Sequence, residues 1–383
     1  MTGRYVPYGR QIIDEDDINA VADVLRGDWL TTGPMVDQFE DAFGAYVGAE
    51  YAVAVSNGTA ALHLAMLAAG VGPGDEVIVA SMTFAASANA ARFVGADVVF
   101  ADVRNDTLTI DPDHVASLIT DRTRAIVAVD YAGIPCDLDE LLALADRHGL
   151  TLIEDACHAP GATYRGRRIG GIAHLTAFSF HPVKHLTTGE GGMVTTNDAD
   201  LASRLKQFRN HGIVTDFRQR EGLGTWEYDM ADLGFNYRLP DINCALGLSQ
   251  LAKLDQWVAR RREIARRYAD AFNGIARVQT PRVPDDRESS WHLYPIRFVG
   301  RDNAALRRGA FELLRGQGIG VNVHYLPVYL HSYYRSLGYE PGLCPTAEAA
   351  YEGLLSLPMW PGLEDAEQDR VVEMVSAIAG SGD

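Results

Sequence analysis

Short, strongly apolar runs alternate with helix-like segments through the first two hundred residues of the chain. Seven of these runs predict strands, at residues 51–55, 76–80, 97–101, 125–130, 151–155, 175–179 and 192–196. Most are too apolar for half-exposed hairpin strands, which favours a sheet covered on both faces. The alternation therefore predicts an α/β fold with a mainly parallel seven-stranded sheet, whose functional residues cluster at the carboxyl ends of the strands.

Helical spacing of apolar positions predicts the flanking helices. Two helices precede the first strand, at residues 14–25 and 34–46, and two more begin at Asp111 and Asp137, which are N-cap candidates. From residue 241 a long apolar pattern predicts one extended helix. We place the arginines of its later part on the solvated side: Arg260, Arg261, Arg262, Arg266 and Arg267.

The pattern changes beyond residue 274, where strands at 291–299 and 320–324 mix with helices at 304–314, 346–355 and 364–379. This region predicts a smaller α/β domain. We therefore expect a large domain at 31–250, a small C-terminal domain at 251–383, and an N-terminal helix within 1–30 that packs with the small domain. Two domains also suit a chain of 383 residues.

Charge and cysteine content exclude several classes of function. The formal net charge of -17 opposes a nucleic-acid-binding or anionic-membrane surface, because both require a basic footprint. The four cysteines are far apart and form no Cys-x-x-Cys pair, so we expect neither a metal site nor a disulfide framework. Since no apolar stretch is typical of a signal peptide or a membrane span, we expect a cytoplasmic protein.

The first chemical candidate opens a helix directly after the first strand, with Asn57, Gly58, Thr59 and Ala60. Unpaired amides and the helix dipole at such a terminus attract phosphate. An ordinary N-cap formed by Asn57 or Thr59 is the alternative. After the second strand, Phe84 is placed either to lie over a flat ring or to join the core.

Asp155 and His158 follow the fifth strand, and Lys184 follows the sixth. An acid at a strand end is costly to bury without a partner, and a positively charged nitrogen would satisfy it. A metal is the rival partner, but the histidines lack a recognised zinc spacing. Lys184 lies between Phe-His-Pro and Gly-Glu-Gly-Gly, where the backbone turns tightly; taken alone, it also suits a surface lysine in a strand–loop–strand connection.

Taken together, these segments indicate one kind of binding site. A phosphate cradle, a flat aromatic, an acid at a strand end and a lysine beyond it are what pyridoxal phosphate requires. The lysine would hold the cofactor covalently, and the acid would keep the pyridine nitrogen protonated so that the ring accepts electrons. Four such parts in this order, each after its own strand, predict a pyridoxal phosphate site.

From residue 5 to residue 361 the chain resembles the StrS/DegT-type nucleotide-sugar aminotransferases, a branch of the aspartate-aminotransferase-like fold (PLP fold type I). Matched by motif, Lys184 resembles the family's Schiff-base lysine, and Asp155 resembles its pyridine-nitrogen partner. Phe84 matches the ring-stacking aromatic, and His158 takes the place of the residue near the ring hydroxyl. The phosphate loop matches Asn57, Gly58, Thr59 and Ala60, with Ser179 as a second phosphate contact.

The resemblance also implies an assembly. The segment Gly-Phe-Asn-Tyr-Arg ending at Arg238 matches a loop whose asparagine, here Asn236, reaches the cofactor phosphate of the neighbouring subunit. A homodimer with shared active sites is therefore expected. The implied chemistry is ping-pong transamination, in which Lys184 is both the covalent anchor and the acid/base.

Within that family, several segments are most similar to the enzymes that aminate carbon 4 in pseudaminic acid biosynthesis. Their substrate is a UDP-linked 4-keto-6-deoxy-N-acetylhexosamine, and L-glutamate is the amino donor. The resemblance implies that the sugar-nucleotide pocket is lined by Tyr8, Asp28, Trp29, Leu30, Thr31, His324 and Tyr325, with Arg238 or His324 holding carboxylate or diphosphate groups. Tyr8 and Tyr325 suit domain packing equally well.

Four other functions remain open at this point. They are an aminotransferase for another dTDP- or UDP-keto-sugar, a PLP-dependent sugar dehydratase, a non-catalytic sugar- or cofactor-sensing protein, and a nicotinamide-dependent oxidoreductase. In the related dehydratases histidine replaces the anchoring lysine, so Lys184 favours transfer, although the neighbouring His185 has no assigned role. An oxidoreductase of this pattern would need a Gly-x-Gly-x-x-Gly turn after the first strand, and the chain lacks it.

Overall fold

A seven-stranded sheet forms the centre of the protein in a computed structural model that describes residues 5–215 and 217–380. Two three-stranded sheets accompany it. The strands are β1 (Tyr51–Val55), β2 (Glu76–Ala80), β3 (Asp97–Ala101), β4 (Thr123–Val129), β5 (Thr151–Asp155), β6 (Thr163–Tyr164), β7 (Arg167–Arg168), β8 (Leu175–Ser179), β9 (Gly192–Thr196), β10 (Val278–Gln279), β11 (Arg287–Glu288), β12 (Tyr294–Phe298) and β13 (Leu354–Leu357).

The strand order of the large sheet is β1-β9-β8-β5-β4-β2-β3. Only β9 runs against the others, since it pairs antiparallel with both β1 and β8. The prediction of a mainly parallel seven-stranded sheet is therefore confirmed, and the main discrepancy in its bounds is that β4 covers 123–129 rather than 125–130. The carboxyl ends of β1, β8, β5 and β2 consequently lie along one edge of the sheet.

Helices cover the sheet and connect its strands. They are α1 (Glu15–Arg26), α2 (Pro34–Val47), α3 (Gly58–Ala68), α4 (Ala85–Phe93), α5 (Pro112–Leu118), α6 (Leu138–His148), α7 (Ala199–Arg209), α8 (Phe217–Leu223), α9 (Asp241–Leu251), α10 (Leu254–Phe272), α11 (Asn303–Gly316), α12 (Ser332–Ser336), α13 (Pro345–Gly353) and α14 (Asp365–Gly380). Within the described residues, no helix is both long enough and apolar enough to cross a membrane.

Side-chain caps explain where some of these helices begin. Asp14 accepts a hydrogen bond from the amide of Asp17, while the Asp17 carboxylate accepts one from the amide of Asp14, which forms a capping box at α1. Asp111 caps α5 by accepting a hydrogen bond from the amide of Asp113. Asp137 precedes α6 but does not cap it, because its carboxylate instead pairs with Arg287 at 2.7 Å.

The extended helix predicted from residue 241 is wrong, because it is divided into α9 and α10 at Ala252 and Lys253. Lys253 forms ion pairs with Asp14 at 2.5 Å and Asp17 at 2.9 Å, so the junction is tied to the start of α1. The placement of Arg261 on the solvated side is also wrong. Its side chain is buried and donates hydrogen bonds to the backbone carbonyls of Trp291, His292 and Met359.

The C-terminal region departs from the predicted elements in three places, and the first is the strand predicted at 291–299, which covers only Tyr294–Phe298. Residues 320–324 form no strand of a sheet; Asn322 makes only an isolated bridge to Ser356. The helix predicted at 346–355 ends at Gly353, and β13 begins immediately after it. Gly353 lies against the backbone of Phe298, where a side chain would not fit, and this contact lets β13 pair with β12.

Among the residues that the structure describes, two hydrophobic clusters occupy the interior. The larger one surrounds the seven-stranded sheet, and the smaller one lies among α10, α11, α14 and the β10-β12-β13 sheet. Val6 belongs to the smaller cluster and exchanges backbone hydrogen bonds with Gly318 and Gly320. Helix α1 instead packs on α9, where the Asp17 carboxylate accepts hydrogen bonds from Ser249 and Gln250. The domain boundaries at residues 30 and 250 stay a prediction.

Candidate active site

The start of α3 forms a cradle at the carboxyl end of β1. The Asn57 side chain caps the helix by accepting a hydrogen bond from the amide of Ala60 at 2.8 Å, and the Asn57 carbonyl accepts from the amide of Ala61. The amides of Gly58 and Thr59 precede these bonds and are left for an anion. The N-cap and the phosphate cradle are therefore compatible at this terminus.

Ser179, at the carboxyl end of β8, forms the other side of this cradle. A Cβ atom placed on Gly58 would lie 2.8 Å from the Cβ of Ser179 and 3.2 Å from both the Ser179 Oγ and the Cys157 Sγ. Any side chain at position 58 would thus fill the space between the helix terminus and the serine hydroxyl. This arrangement of free amides, a hydroxyl and a glycine fits a phosphate group.

Asp155 is buried at the carboxyl end of β5 and has a defined set of donors. The Ser87 hydroxyl donates to its Oδ2 at 2.6 Å, and the amide of Cys157 donates to its Oδ1 at 3.2 Å. Ser87 is itself in contact with the Thr83 hydroxyl, 2.7 Å away. Each carboxylate oxygen retains a lone pair, so Asp155 is able to accept a further hydrogen bond from a protonated ring nitrogen.

Lys184 follows β8 and is partly buried. Burial lowers the pKa of its ammonium; the nearby Cys157 and Asp155 side chains oppose this shift, and the buried Arg261 guanidinium adds to it. A lysine with a lowered pKa has a larger neutral fraction, which is the form that attacks a carbonyl group. The structure thus brings Lys184 into the electrostatic neighbourhood of Asp155, as the pyridoxal phosphate prediction requires.

Phe84 is positioned as an aromatic face beside these groups. It is the N-cap residue of α4 and is 61% exposed, which argues against a core role. Its ring lies 6.1 Å from the ring of Tyr325. Phe84 is exposed at the carboxyl edge, one helical turn before Ser87, whose hydroxyl contacts Asp155. This position fits a surface on which a planar ring stacks.

His158, Tyr325, His324 and Tyr8 form a continuous wall of rings. The Tyr325 hydroxyl lies 3.2 Å from the Nε2 of His158, and the His324 ring lies 4.9 Å from Tyr325 and 5.7 Å from Tyr8. Burial lowers the pKa of His158 well below its ordinary value, and burial lowers the pKa of His324 to about 4. Both imidazoles are therefore neutral near pH 7 and serve as hydrogen-bonding groups rather than as cations.

His185 points into the protein interior. Its Nε2 lies 3.0 Å from the carbonyl oxygen of Ser290, which only accepts, so Nε2 carries the hydrogen. The ring is 2% exposed, and burial lowers its pKa well below the ordinary value. These contacts give His185 a packing role next to His292, whose ring centre is 5.6 Å away.

The remaining predicted residues form a second group near the start of α9. Asn236 is exposed on a loop that runs beside β1, where the Tyr237 carbonyl accepts a hydrogen bond from the amide of Ser56. The exposed residues Asp28, Trp29, Leu30 and Thr31 approach α9 through a hydrogen bond from the amide of Asp241 to the Leu30 carbonyl. Within the single chain, no described contact joins this group to Lys184.

A cavity of about 220 Å³ adjoins this second group. Arg238 lines it and donates a hydrogen bond to Asn210 at 2.7 Å. Lys206 and Arg209 lie in the same wall, and Arg209 forms an ion pair with Glu40. The predicted residues thus fall into two separate groups on one chain.

Sequence reasoning missed three buried residues near the site. Ser87 had no motif to mark it, and neither did His292, whose ring lies 4.4 Å from that of His158. Arg261 did have a signal, because it falls on the buried stripe of α10 between Val258 and Ala265. Its positive charge led to the prediction of an exposed side chain, because an arginine is rarely buried without an acidic partner.

Comparison with known proteins finds one family and several relatives that match nearly the full length of the chain. The model of the DegT/DnrJ/EryC1/StrS aminotransferase family matches residues 11–376. The chain is 42% identical over 382 residues to the spore coat polysaccharide biosynthesis protein SpsC of Bacillus subtilis (strain 168), covering 99% of this chain and 98% of SpsC.

Solved structures extend the likeness to the fold. Spr1654 from Streptococcus pneumoniae, in its PMP-form, has a TM-score of 0.93 at 34% identity and covers 98% of this chain and 99% of its own; its PLP-form has a TM-score of 0.92. Helicobacter pylori PseC, an aminotransferase involved in the biosynthesis of pseudoaminic acid, has a TM-score of 0.91 at 33% identity, covering 99% and 100%. The chain therefore belongs to the DegT/DnrJ/EryC1/StrS aminotransferase family and is an aminotransferase that depends on pyridoxal phosphate.

Proposed function

We propose that this protein transfers the amino group of L-glutamate to carbon 4 of a UDP-linked 4-keto-6-deoxy-N-acetylhexosamine, as a step in pseudaminic acid (nonulosonate) biosynthesis. The observation that carries the proposal is the convergence of Lys184, Asp155 and Phe84 with the wall formed by Tyr8, His324 and Tyr325. The full-length likeness to H. pylori PseC supports this choice of sugar.

The predicted residues at the carboxyl edge of the large sheet form the first group, and each of them fits one part of the cofactor. The amides of Gly58 and Thr59 and the Ser179 hydroxyl would hold its phosphate. The Asp155 carboxylate would hold a proton at its pyridine nitrogen, and Phe84 would cover one face of its ring. When bound, pyridoxal phosphate accepts the amino group from the donor and passes it to the keto sugar.

Lys184 is the residue to which we assign proton movement. Its Nζ would take the proton from the α-carbon of glutamate and later deliver a proton to carbon 4 of the sugar. The lowered pKa of Lys184 suits this task, because the amine has to be neutral when it accepts the proton. The neutral imidazoles of His158 and His324 would orient hydroxyl groups without adding positive charge beside the amine.

A homodimer with shared sites would unite the two groups of predicted residues. Asn236 is exposed on its loop, in keeping with a role toward the partner's cofactor. The neighbouring segment carries several exposed apolar side chains, among them Leu223, Trp226 and Leu233, which are 71%, 85% and 74% exposed. Apolar side chains exposed to this degree are unfavourable in water and favour burial in an interface.

The alternatives have weaker support. A dehydratase of this family has histidine in place of the anchoring lysine, whereas here Lys184 is present and His185 is directed to the Ser290 carbonyl. A sensing protein would not need Lys184 near Asp155. An aminotransferase for another UDP- or dTDP-keto-sugar uses the same core residues, so substrate tests have to separate it from the proposed enzyme.

A panel of keto sugars tests the proposal. Purified enzyme and L-glutamate are incubated with UDP- and dTDP-linked 4-keto-6-deoxy sugars and with a 3-keto sugar, and 2-oxoglutarate is measured. We expect the highest kcat/KM for the UDP-linked 4-keto-N-acetylhexosamine. A higher value for a dTDP-linked or 3-keto sugar would contradict the assigned substrate, and loss of sugar hydroxyl without 2-oxoglutarate would indicate a dehydratase.

A further inference from the structure

A chain of two buried hydroxyl groups ends on Asp155. Thr83 is 2% exposed and lies in the turn that joins β2 to α4, and Ser87 is fully buried in the first turn of α4. The oxygen atoms of the two hydroxyls are 2.7 Å apart, and the Ser87 Oγ is 2.6 Å from the Asp155 Oδ2. No catalytic step described above uses either hydroxyl.

The direction of these hydrogen bonds follows from counting donors. A carboxylate only accepts, so the single hydrogen of the Ser87 hydroxyl points to Asp155. The Ser87 oxygen then accepts the hydrogen of Thr83. The Phe84 carbonyl is also near Ser87, but at 3.3 Å it is the weaker acceptor of the two.

The position of Ser87 in α4 links this chain to the ring-stacking residue. Phe84 is the N-cap residue of α4, and the amide of Ser87 donates to its carbonyl at 3.2 Å. One turn of backbone therefore places both Phe84 and the hydroxyl that contacts Asp155. A carboxylate held by the Cys157 amide on one oxygen and by Ser87 on the other has little freedom to rotate.

We propose that Ser87 is a positioning residue that fixes the Asp155 carboxylate toward the cofactor's ring nitrogen, and that Thr83 acts through Ser87. The proposal rests on the role given to Asp155 above. Its basis is the buried, fully directed series Thr83–Ser87–Asp155. A hydroxyl that only filled space would not need to lie within hydrogen-bonding distance of both neighbours.

A double-mutant cycle tests the proposal in apoenzyme and holoenzyme. For Ser87→Ala we expect the dissociation constant of pyridoxal phosphate for the apoenzyme to rise, and the glutamate half-reaction to slow, by about 10- to 100-fold, the factor associated with one hydrogen bond to a charged group. For Thr83→Val we expect about threefold to tenfold. The double variant should equal Ser87→Ala, because Thr83 acts only through Ser87.

Two further variants separate positioning from packing. Ser87→Ala should add little to the defect of Asp155→Asn, because the group that it orients is already altered. The matched control is Thr109→Val, which removes one hydroxyl from another buried pair, Thr107 and Thr109, also 2.7 Å apart. We expect this control to lower the melting temperature slightly and to leave cofactor affinity and the half-reaction unchanged.

Wild-type affinity and rate in Ser87→Ala would overturn the proposal, as would a Ser87→Ala defect of equal size in the Asp155→Asn background. If Ser87→Ala cannot be recovered folded, Thr83→Val decides, and unchanged cofactor affinity in that variant overturns the proposal. Normal turnover in Asp155→Asn would instead remove the assigned role of Asp155. A defect in Asp155→Asn combined with a silent Ser87→Ala would remove only the role of Ser87.

Discussion

Asp130 and Glu154 form a buried carboxyl pair whose proton makes stability depend on pH. Glu154 precedes Asp155 in β5 and therefore points to the opposite face of the sheet, where it accepts a hydrogen bond from Thr176 at 2.9 Å. The Glu154 Oε1 and the Asp130 Oδ2 are both buried without a described hydrogen-bond donor, and the nearby negative charge of Asp130 raises the pKa of Glu154. Because two carboxylates cannot both accept, the pair holds a proton. Burial raises the pKa of Glu154 well above its ordinary value and raises the pKa of Asp130 to about 7.

In Glu154→Gln the side-chain amide is a hydrogen-bond donor at every pH, so it replaces the proton that the carboxyl pair holds. In the unfolded chain Glu154 titrates at 4.5, so above that pH the wild-type protein must take up a proton when it folds. A raised folded-state pKa means that stability is lost as pH rises, at about 1.4 kcal/mol per pH unit for one proton. The unfolding free energy of Glu154→Gln relative to wild type should therefore grow by about 3 kcal/mol between pH 5 and pH 7.

Chemical denaturation of both apoenzymes at several pH values measures this difference. Its slope with pH is the decisive quantity, since any constant cost of the amide group cancels. Glu76→Gln is a matched control, because Glu76 is also buried but forms an ion pair with Arg122 and accepts from Thr120. We expect the control to be no more stable than wild type at any pH. A Glu154→Gln difference that stays flat from pH 5 to pH 7 would refute the shared proton.

Three further predictions concern the site. Lys184→Ala should carry no cofactor after borohydride reduction and dialysis, whereas wild-type protein should carry it on the peptide containing Lys184, as mass spectrometry detects; a label on another lysine would contradict the assignment. Asp155→Asn should bind cofactor but slow the glutamate half-reaction by at least about 100-fold in stopped-flow absorbance, and near-normal rates would place the pyridine partner elsewhere. Equimolar mixing of Lys184→Ala and Asn236→Ala chains should recover about a quarter of wild-type activity, because random pairing leaves one intact site in half of the dimers; no recovery would argue against shared sites.

The large sheet and the first group of site residues were predictable because local pattern and position in the fold agree there. Each apolar run was long enough to be buried, and parallel strands necessarily bring Asn57, Phe84, Asp155 and Ser179 to one edge. The chemistry of the cofactor then explained why an acid and a lysine should meet at that edge. The packing role of His185 became visible only from its hydrogen bond to Ser290.

The division of α9 from α10 depends on contacts that no local pattern contains. Apolar spacing continues across residues 252 and 253, but Lys253 reaches two acids more than two hundred residues earlier in the chain. Arg261 was misplaced for a different reason. Its spacing from Val258 and Ala265 put it on the buried stripe, and three backbone carbonyls take the place of the acidic partner that a buried arginine usually has.

Transfer of labelled nitrogen tests the central claim most directly. The enzyme is given ¹⁵N-labelled L-glutamate and the UDP-linked 4-keto-6-deoxy-N-acetylhexosamine, and the product is analysed by NMR. We predict that ¹⁵N is bonded to carbon 4 of the sugar and that one 2-oxoglutarate forms for each amino sugar. A product with ¹⁵N on another carbon, or an unchanged keto sugar beside an active reaction on a different nucleotide sugar, would contradict the proposed function.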